Sequence, residues 1–424
     1  MKIILVTYPV SPYRGSEFAV SWNYIVNMSK YHELFVLYGT SGNGFGNVSE
    51  LQDWLKSHEL PNVHFIDVQM KKNLLTECLA YFRKINYKYG SFFQYKLWHK
   101  YVYKTALSII QKNNIDIVHY LNPIGFKEPS ECWRIKNKPY IWGPMQGVEN
   151  RPLCLYKALG INGCIDALIR LVIHNGIMWF SPKIRKAVKR ADCIFSATPN
   201  TVKQMKFLFG KETIYLPENG IIRMNRTEPI IYSRDKKLQI VWCGAVCYRK
   251  GLVLLLDALQ LVKSTNWCLN VIGEGKMLLE LKKYSRQKGL DNIIWHGNIP
   301  RADVFELMKN SHLHVISSLG DATTTVLFEA MSFAVPTMTL DHCGMAGVVC
   351  EKCGIKIPIH SYNQVISDIA KRIDELIEKP EKIQQLSQGV LECSKEYMWE
   401  NRVKIFNEVY KEVALKYQTS FLLK

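Results

Sequence analysis

The sequence predicts an α/β protein made of two halves in tandem, each a parallel sheet covered on both faces by helices. Three observations carry that expectation. Strand-like apolar runs alternate with segments of helical period from the first residues onward. The alternation pauses at Pro217-Glu-Asn219-Gly220-Ile221 and the polar stretch Arg223 to Lys237, then restarts. And 424 residues exceed what one ordinary core supports, while a hydrophobic share of 48% with 12% aromatics is ample for two.

In order, Ile3–Tyr8 is the first strand. Ser16 to Lys30 reads as a helix, with Ser16 as N-cap and Phe18, Trp22, Ile25 and Val26 on its apolar side. Leu34–Tyr38, Val63–Val68, Ile115–Tyr120, Tyr140–Trp142 and Cys193–Ser196 complete the strands expected in the first half. In the second half Gln239–Cys243, Leu269–Gly273, Asn292–Trp295 and His314–Ser317 repeat the pattern. A helical period with Val326, Leu327 and Ala330 on one side follows and closes at Pro336. The tail from Glu396 to Tyr417, with Trp399, Val403, Phe406, Val409 and Tyr410, reads as a long amphipathic helix. Met1-Lys-Ile-Ile-Leu-Val is a strand and not a leader, and no charge-free apolar stretch reaches the ~20 residues of a spanning helix.

The balance of 55 Lys+Arg against 37 Asp+Glu gives a formal charge of +18, which speaks to partners: nucleic acid, an anionic membrane surface or phosphorylated substrates. Residues 71–104 interleave Lys71, Lys72, Arg83, Lys84, Lys88, Lys96, Lys100 and Lys104 with Tyr81, Phe82, Tyr87, Phe92, Phe93, Tyr95 and Trp98. Residues 165–190 combine Ile165, Leu168, Ile169 and Val172 at helical spacing with Arg170, Lys183, Arg185, Lys186, Lys189 and Arg190. Basic amphipathic segments with aromatics fit an interfacial membrane contact, a single-stranded nucleic acid, or a helical face packed on the first domain. Twelve scattered cysteines fit reduced cytosolic thiols; Cys350-Glu-Lys-Cys353 has no second pair at ligand spacing, and no metal is expected there.

Three stretches have the residue types of a ligand site. In Ser318-Leu-Gly-Asp321-Ala-Thr-Thr324-Thr325-Val-Leu-Phe-Glu329, a strand feeds a helix whose first amides, at Thr324 and Thr325, point out of its positive end and offer an anion seat. Asp321 lies before that helix and Glu329 two turns along it, so both carboxylates can face one crevice. Read alone, they are an N-cap and an exposed helix residue. Gly244-Ala245-Val-Cys-Tyr-Arg249-Lys250-Gly251 sets a guanidinium fork beside a movable ammonium, a pair suited to a diphosphate or to a solvated turn. In the first half, the loop Pro9 to Glu17, containing Gly15 and Ser16, sits where open α/β sheets bind ligands, and His119, Asn122 and Gly147 follow the fourth and fifth strands at the same edge. Gly273-Glu-Gly275 lacks the third glycine of a dinucleotide fingerprint, its position being Leu278. No Asp-x-Asp triplet occurs, so no metal-held diphosphate is expected and no cofactor beyond the substrates.

The acid, seven residues, Glu spacing from Asp321 to Glu329, followed by Ala-Met-Ser-Phe-Ala-Val-Pro336, resembles the signature of retaining family 4 glycosyltransferases. Arg14-Gly15-Ser16-Glu17 ahead of Trp22-Asn resembles one branch of their first loop, and Lys250-Gly251, Gly273-Glu-Gly275 and His296-Gly297-Asn298-Ile299 match further segments. The resemblance implies the GT-B fold: two Rossmann-like domains facing each other across a cleft, residues 1–225 on the acceptor side and 226–400 holding the donor, with the helix from about 401 to 424 returning to the first domain. It implies retaining transfer from a nucleotide-diphosphate sugar to a glycan or lipid-linked acceptor, in polysaccharide biosynthesis at the inner face of a membrane. By position, Asp321 faces the donor sugar, with His119 and Lys250 beside the chemistry. Gly15, Ser16, Arg249, Gly275, Asn298, Ile299, Thr324, Thr325 and Glu329 would bind donor; Glu17, Asn122 and Gly147 would meet acceptor. Three departures stand out: Asp321 replaces the usual Glu, Ala245 replaces the usual Arg, and Leu121 stands where many members carry a second His. Two other classes stay open on the residues alone, a basic nucleic-acid-binding protein and a sugar epimerase or phosphorylase sharing the fold.

Overall fold

In the computed structural model of the protein, residues 1–39, 48–71, 74–85 and 87–422 are described. The chain divides into two compact units, Met1–Val148 with Gly176–Asn219 and Arg402 onward, and Glu149–Asn175 with Gly220–Asn401.

The first unit is built on β1 (Lys2–Thr7), α1 (Glu17–Met28), β2 (Glu33–Tyr38), α2 (Val48–Leu55), β3 (Val63–Asp67), α3 (Leu74–Ile85), α4 (Tyr87–Lys112), β4 (Ile117–Asn122) and β5 (Tyr140–Met145). The long α5 (Gly160–Phe180), which belongs to the second unit up to Asn175, precedes α6 (Pro182–Arg190), β6 (Cys193–Ser196), α7 (Pro199–Phe209) and β7 (Ile214–Tyr215) of the first. The strands are parallel, in the order β3-β2-β1-β4-β5-β6-β7. Such strands are buried on both faces and so read as unbroken apolar runs; Ile3, Ile4, Leu5 and Val6 are all fully buried. Strand β4 ends two residues later than the sequence reading, because Leu121 and Asn122 prolong the buried run, while Ile115 closes a turn on the Asn113 carbonyl. His119 therefore lies inside the strand and not beyond its end.

The second unit repeats the plan with β8 (Leu238–Cys243), α8 (Leu252–Leu259), β9 (Trp267–Ile272), α9 (Leu278–Gln287), β10 (Ile293–Gly297), α10 (Arg301–Lys309), β11 (Leu313–Ile316), α11 (Thr325–Ser332), β12 (Thr337–Leu340), α12 (Met345–Val348) and β13 (Gly354–Ile357). Helices α13 (Tyr362–Glu378) and α14 (Glu381–Cys393) follow, then α15 (Trp399–Leu422), most of which belongs to the first unit. Its strands are parallel in the order β10-β9-β8-β11-β12-β13. In both units the order reverses beside the first strand, between β1 and β4 and between β8 and β11. A crevice opens there at the carboxyl ends of the strands.

The sequence reading put residues up to 225 in one domain, whereas Glu149–Asn175 folds with the second unit. Leu155, Ala158, Leu159 and Ala167 bury in that unit's core beside Val246 and Tyr362, and the Lys157 ammonium lies over the Tyr362 ring. The apolar pattern of this segment is the same whichever core it enters.

Candidate functional site

At the switch point of the second unit, β8 delivers the turn Tyr248-Arg249-Lys250 and β11 delivers the loop holding Asp321. Gly251 makes the approach possible: its φ is +62°, and a Cβ there would lie 2.2 Å from the Ser317 carbonyl oxygen. The Lys250 carbonyl accepts from Ser317 Oγ at 3.1 Å, fixing the turn to the end of β11. Lys250 Nζ then lies 2.7 Å from Asp321 Oδ2, and the Arg249 guanidinium donates to Asp321 Oδ1 and to the Gly320 carbonyl. Burial acts to raise the Asp321 carboxyl, but Lys250 and Arg249 outweigh it and hold the group below its ordinary range. The two cations expected to face a diphosphate and the acid expected to face a sugar are thus one ionic cluster.

Helix α11 opens beside it. Thr324 occupies the N-cap position, yet its side chain makes no cap bond, and among the described residues neither its hydroxyl nor that of Thr323 has a hydrogen-bond partner, although both are buried. Buried polar groups without partners are rare in folded proteins. Glu329, just over one turn further, is paired with Arg301 at 2.7 Å; burial raises its carboxyl, opposed by Arg301. Arg301 opens α10 just after Asn298 and Ile299, of which Asn298 is exposed and Ile299 half-buried. Gly273 and Gly275 lie against the Gly244 and Val246 carbonyls, which places the Gly-Glu-Gly loop beside the cationic turn as a packing device.

Sequence reasoning missed Arg301 and the residues that Glu149–Asn175 contributes. The Arg151 side chain lies against Gly320, and Glu149 sits with His342 and Cys343 beside the same loop, the Cys343 thiol accepting from the Asp321 amide at 3.4 Å. Nothing in their spacing marks them, since they meet the site only through the tertiary fold.

In the first unit, the loop after β1 is pinned where Arg14 forks onto Glu50 at 2.6–2.8 Å and Ser11 donates to the same carboxylate at 2.6 Å. Ser16 takes φ 57°, a left-handed conformation for a residue with a side chain, and its hydroxyl makes no cap bond, unlike the capping role read from the sequence. Gly15 is exposed with open space around it. Burial lifts the Glu17 carboxyl to about 7, with the Ile124 amide acting the other way, and its Oε2 is buried without a partner among the described residues. Asn122 donates to the Glu17 carbonyl at 2.6 Å and to Ser21 Oγ at 3.1 Å, leaving its Oδ1 buried and unpartnered among them. Gly147 takes φ +91° against the Phe126 ring.

His119, which the resemblance puts beside the chemistry, is enclosed by the first unit's core. It is fully buried; Nε2 donates to the Gly143 carbonyl at 2.6 Å and Nδ1 accepts from the Tyr410 hydroxyl at 2.6 Å. Tyr24, Phe195 and Phe406 surround the ring, and burial lowers it to about 4, opposed by the Gly143 carbonyl. The imidazole is neutral with both nitrogens engaged. It ties α15 to β4.

The basic aromatic stretches are also altered by packing. Trp98 is a core residue whose indole donates to the Val68 carbonyl, and Tyr95 bonds Tyr120. Lys183 is tied to Glu128 and Glu131, and Arg190 to Asp192. Lys72 lies outside the described residues, as do the side chains of Arg83, Lys84, Tyr87 and Lys88. The apolar side of α5 is open to solvent, with Val172 and Phe180 73% and 82% exposed. By length and composition, Gly163–Phe180 is apolar enough to cross a membrane, although it contains Asp166 and Arg170.

Two doubly wound parallel sheets, each reversing beside its first strand, with the charged turns gathered at the second reversal, are the architecture of the GT-B glycosyltransferases. Residues 225–390 match the family described as "Glycosyl transferases group 1". The chain is 20% identical over 249 residues to the amylovoran biosynthesis glycosyltransferase AmsD of Erwinia amylovora, covering 56% of this chain and 68% of that one. It is 24% identical to the O-antigen chain mannosyltransferase C of Escherichia coli, over 38% of this chain and 45% of that one. Among solved structures, the lipopolysaccharide outer core galactosyltransferase WaaB superposes with a TM-score of 0.67 at 14% identity, over 97% of this chain and 100% of that one. HepE of Anabaena, in complex with UDP, superposes with a TM-score of 0.64 at 15% identity, over 97% and 100%.

Proposed function

We propose that the chain is a retaining glycosyltransferase that moves a sugar from a nucleotide-diphosphate sugar to a glycan or lipid-linked acceptor in polysaccharide biosynthesis. The observation that carries this reading is the pair of unpartnered buried hydroxyls, Thr323 and Thr324, at the opening of α11 beside Arg249 and Lys250. A positive helix start with spare hydroxyl donors and two cations is matched to a diphosphate leaving group, which it stabilises without a metal. Glu329 takes the ribose hydroxyls and Asp321 the donor sugar; on the acceptor side stand Glu17, Asn122 and Gly147. His119 serves as a positioning residue, because both its nitrogens are engaged in the fold. The departing diphosphate itself takes the acceptor's proton, so no strong protein base is needed.

The relatives named for amylovoran, O-antigen and lipopolysaccharide synthesis support a surface-polysaccharide acceptor. The exposed apolar side of α5, continued by the exposed Lys186 and Lys189, supports peripheral contact with an anionic membrane at its cytoplasmic face. Thermal shift with UDP, GDP and ADP sugars identifies the donor, since a ligand that binds only the folded state raises its stability. Glu329→Ala and Lys250→Ala then abolish transfer while circular dichroism stays unchanged. Full activity in both variants would sink the proposal.

A further inference from the structure

The fold brings Cys393, the last residue of α14, to the Cys350-Glu-Lys-Cys353 turn that precedes β13. Cys350 Sγ lies 3.6 Å from Cys353 Sγ and 3.6 Å from Cys393 Sγ, and all three sulfurs lie within 4.8 Å of one another. These spacings are informative. A tetrahedral zinc centre with Zn–S bonds of ~2.3 Å sets its sulfurs about 3.8 Å apart, whereas a disulfide needs ~2.05 Å. The two separations from Cys350 are close to the edge of such a tetrahedron and well outside disulfide bonding distance.

The backbone is arranged to hold them there. Cys353 and Gly354 amides both donate to the Cys350 carbonyl at 3.0 Å, closing the turn, and the Cys350 amide donates to Cys353 Sγ at 3.3 Å. Amide donors to sulfur favour thiolate and orient it, as outer-shell groups do at metal sites. Helix α14 reaches the turn only because residue 389 is glycine: a Cβ there would lie 1.8 Å from the Lys352 carbonyl oxygen. Cys353 is buried, while Cys350 and Cys393 are half-buried, so the cluster has one solvent-facing side.

We propose that Cys350, Cys353 and Cys393 bind a divalent cation of the zinc class through three thiolates, with a fourth position facing solvent. Each thiol releases its proton to solvent as the metal binds, so affinity rises with pH. The site braces the segment after α12 against α14, in the apolar cluster shared by Val349, Cys353 and Val390. It is separate from the proposed transferase site.

Tag-free protein purified in thiol reductant, stripped with chelator and titrated anaerobically with Co2+ tests the site. One equivalent is expected to saturate a thiolate-to-cobalt charge-transfer band in the near ultraviolet, and Zn2+ to bleach it. Cys350→Ser and Cys393→Ser each weaken binding by at least tenfold, while Cys78→Ser and Cys154→Ser, at exposed positions, leave it unchanged. Circular dichroism on every variant separates loss of the site from loss of the fold. A folded, reduced wild-type chain that shows no band overturns the proposal, as does a band that survives in both Cys350→Ser and Cys393→Ser. Peptide mapping that finds a Cys350–Cys353 or Cys350–Cys393 disulfide in the purified protein, with no metal uptake after reduction, assigns the thiols to redox chemistry and equally overturns it.

Discussion

Replacing Glu17 with Gln isolates the cost of an ionised carboxylate in the first unit. Burial lifts this carboxyl from 4.5 to about 7. At ~1.4 kcal/mol per unit, ionising it in the folded protein costs about 3 kcal/mol relative to the unfolded chain. Between pH 4.5 and 7 the folded state binds the proton more tightly, so stability from this group is full at low pH and falls as pH rises through the window. The residue keeps some exposure, and water screening makes 3 kcal/mol an upper value. Urea unfolding at pH 5 and pH 8, followed by tryptophan fluorescence, measures the effect. Wild type is expected to lose about 2–3 kcal/mol more than Glu17→Gln between the two pH values. Parallel losses would refute the reasoning, and would mean that water or a neighbouring cation reaches the carboxylate.

His119→Ala removes two buried hydrogen bonds and a ring packed among aromatics; it should cost about 3 kcal/mol in thermal or urea unfolding. Because the imidazole is engaged through both nitrogens, His119→Gln that remains folded should retain most transfer activity per folded molecule in a sugar-transfer assay. Gly251→Ala meets both a left-handed backbone and the Ser317 carbonyl, and should destabilise by at least 2 kcal/mol in differential scanning calorimetry. Asp321→Asn leaves Arg249 and Lys250 facing each other without their carboxylate; a loss of roughly 3 kcal/mol is expected at neutral pH. The carboxyl is held below its ordinary value of 3.8, so the stability it contributes is present above that pH and is lost as pH falls through the depressed value, which acid titration of wild type against the Asn variant will show.

Most strands of both sheets were legible because buried parallel strands are unbroken apolar runs, and their loops were legible because glycine, proline and charge interrupt those runs; β7 and β13, two and four residues long, were not read as strands. The donor-side loops were legible for a second reason: Asp321, Glu329, Arg249 and Lys250 lie on two short contiguous stretches, so spacing alone brings them near one edge. What escaped was long-range. Arg301 meets Glu329 from another helix, Arg151 reaches Gly320 from a segment that had been given to the other domain, and Cys393 joins Cys350 from 43 residues away. His119 escaped for a different reason. Its burial depends on Tyr410, from the far end of the chain, and on where β4 stops.

The cluster of Asp321 with Arg249 and Lys250 bears on how the proposed donor would enter. Two adjacent cations in a half-buried turn repel each other, and the carboxylate removes that repulsion while the site is empty. A diphosphate must therefore displace Asp321 from at least one cation, and its advantage over the carboxylate is its second negative charge. A ligand with a single negative charge gains little by the exchange, so the arrangement discriminates by charge. Ala245 stands where the family pattern has Arg, so under the proposed function Arg249 and Lys250 are the pair that would meet the diphosphate. The shorter side chain of Asp321, against the usual Glu, keeps the carboxylate on its own loop, within reach of both cations. Released by the incoming phosphates, that carboxylate is left buried and unpaired unless the donor's sugar hydroxyls meet it. The exchange thus links tight diphosphate binding to the presence of a sugar, and a bare nucleoside diphosphate should stabilise the protein less than its sugar-bearing form.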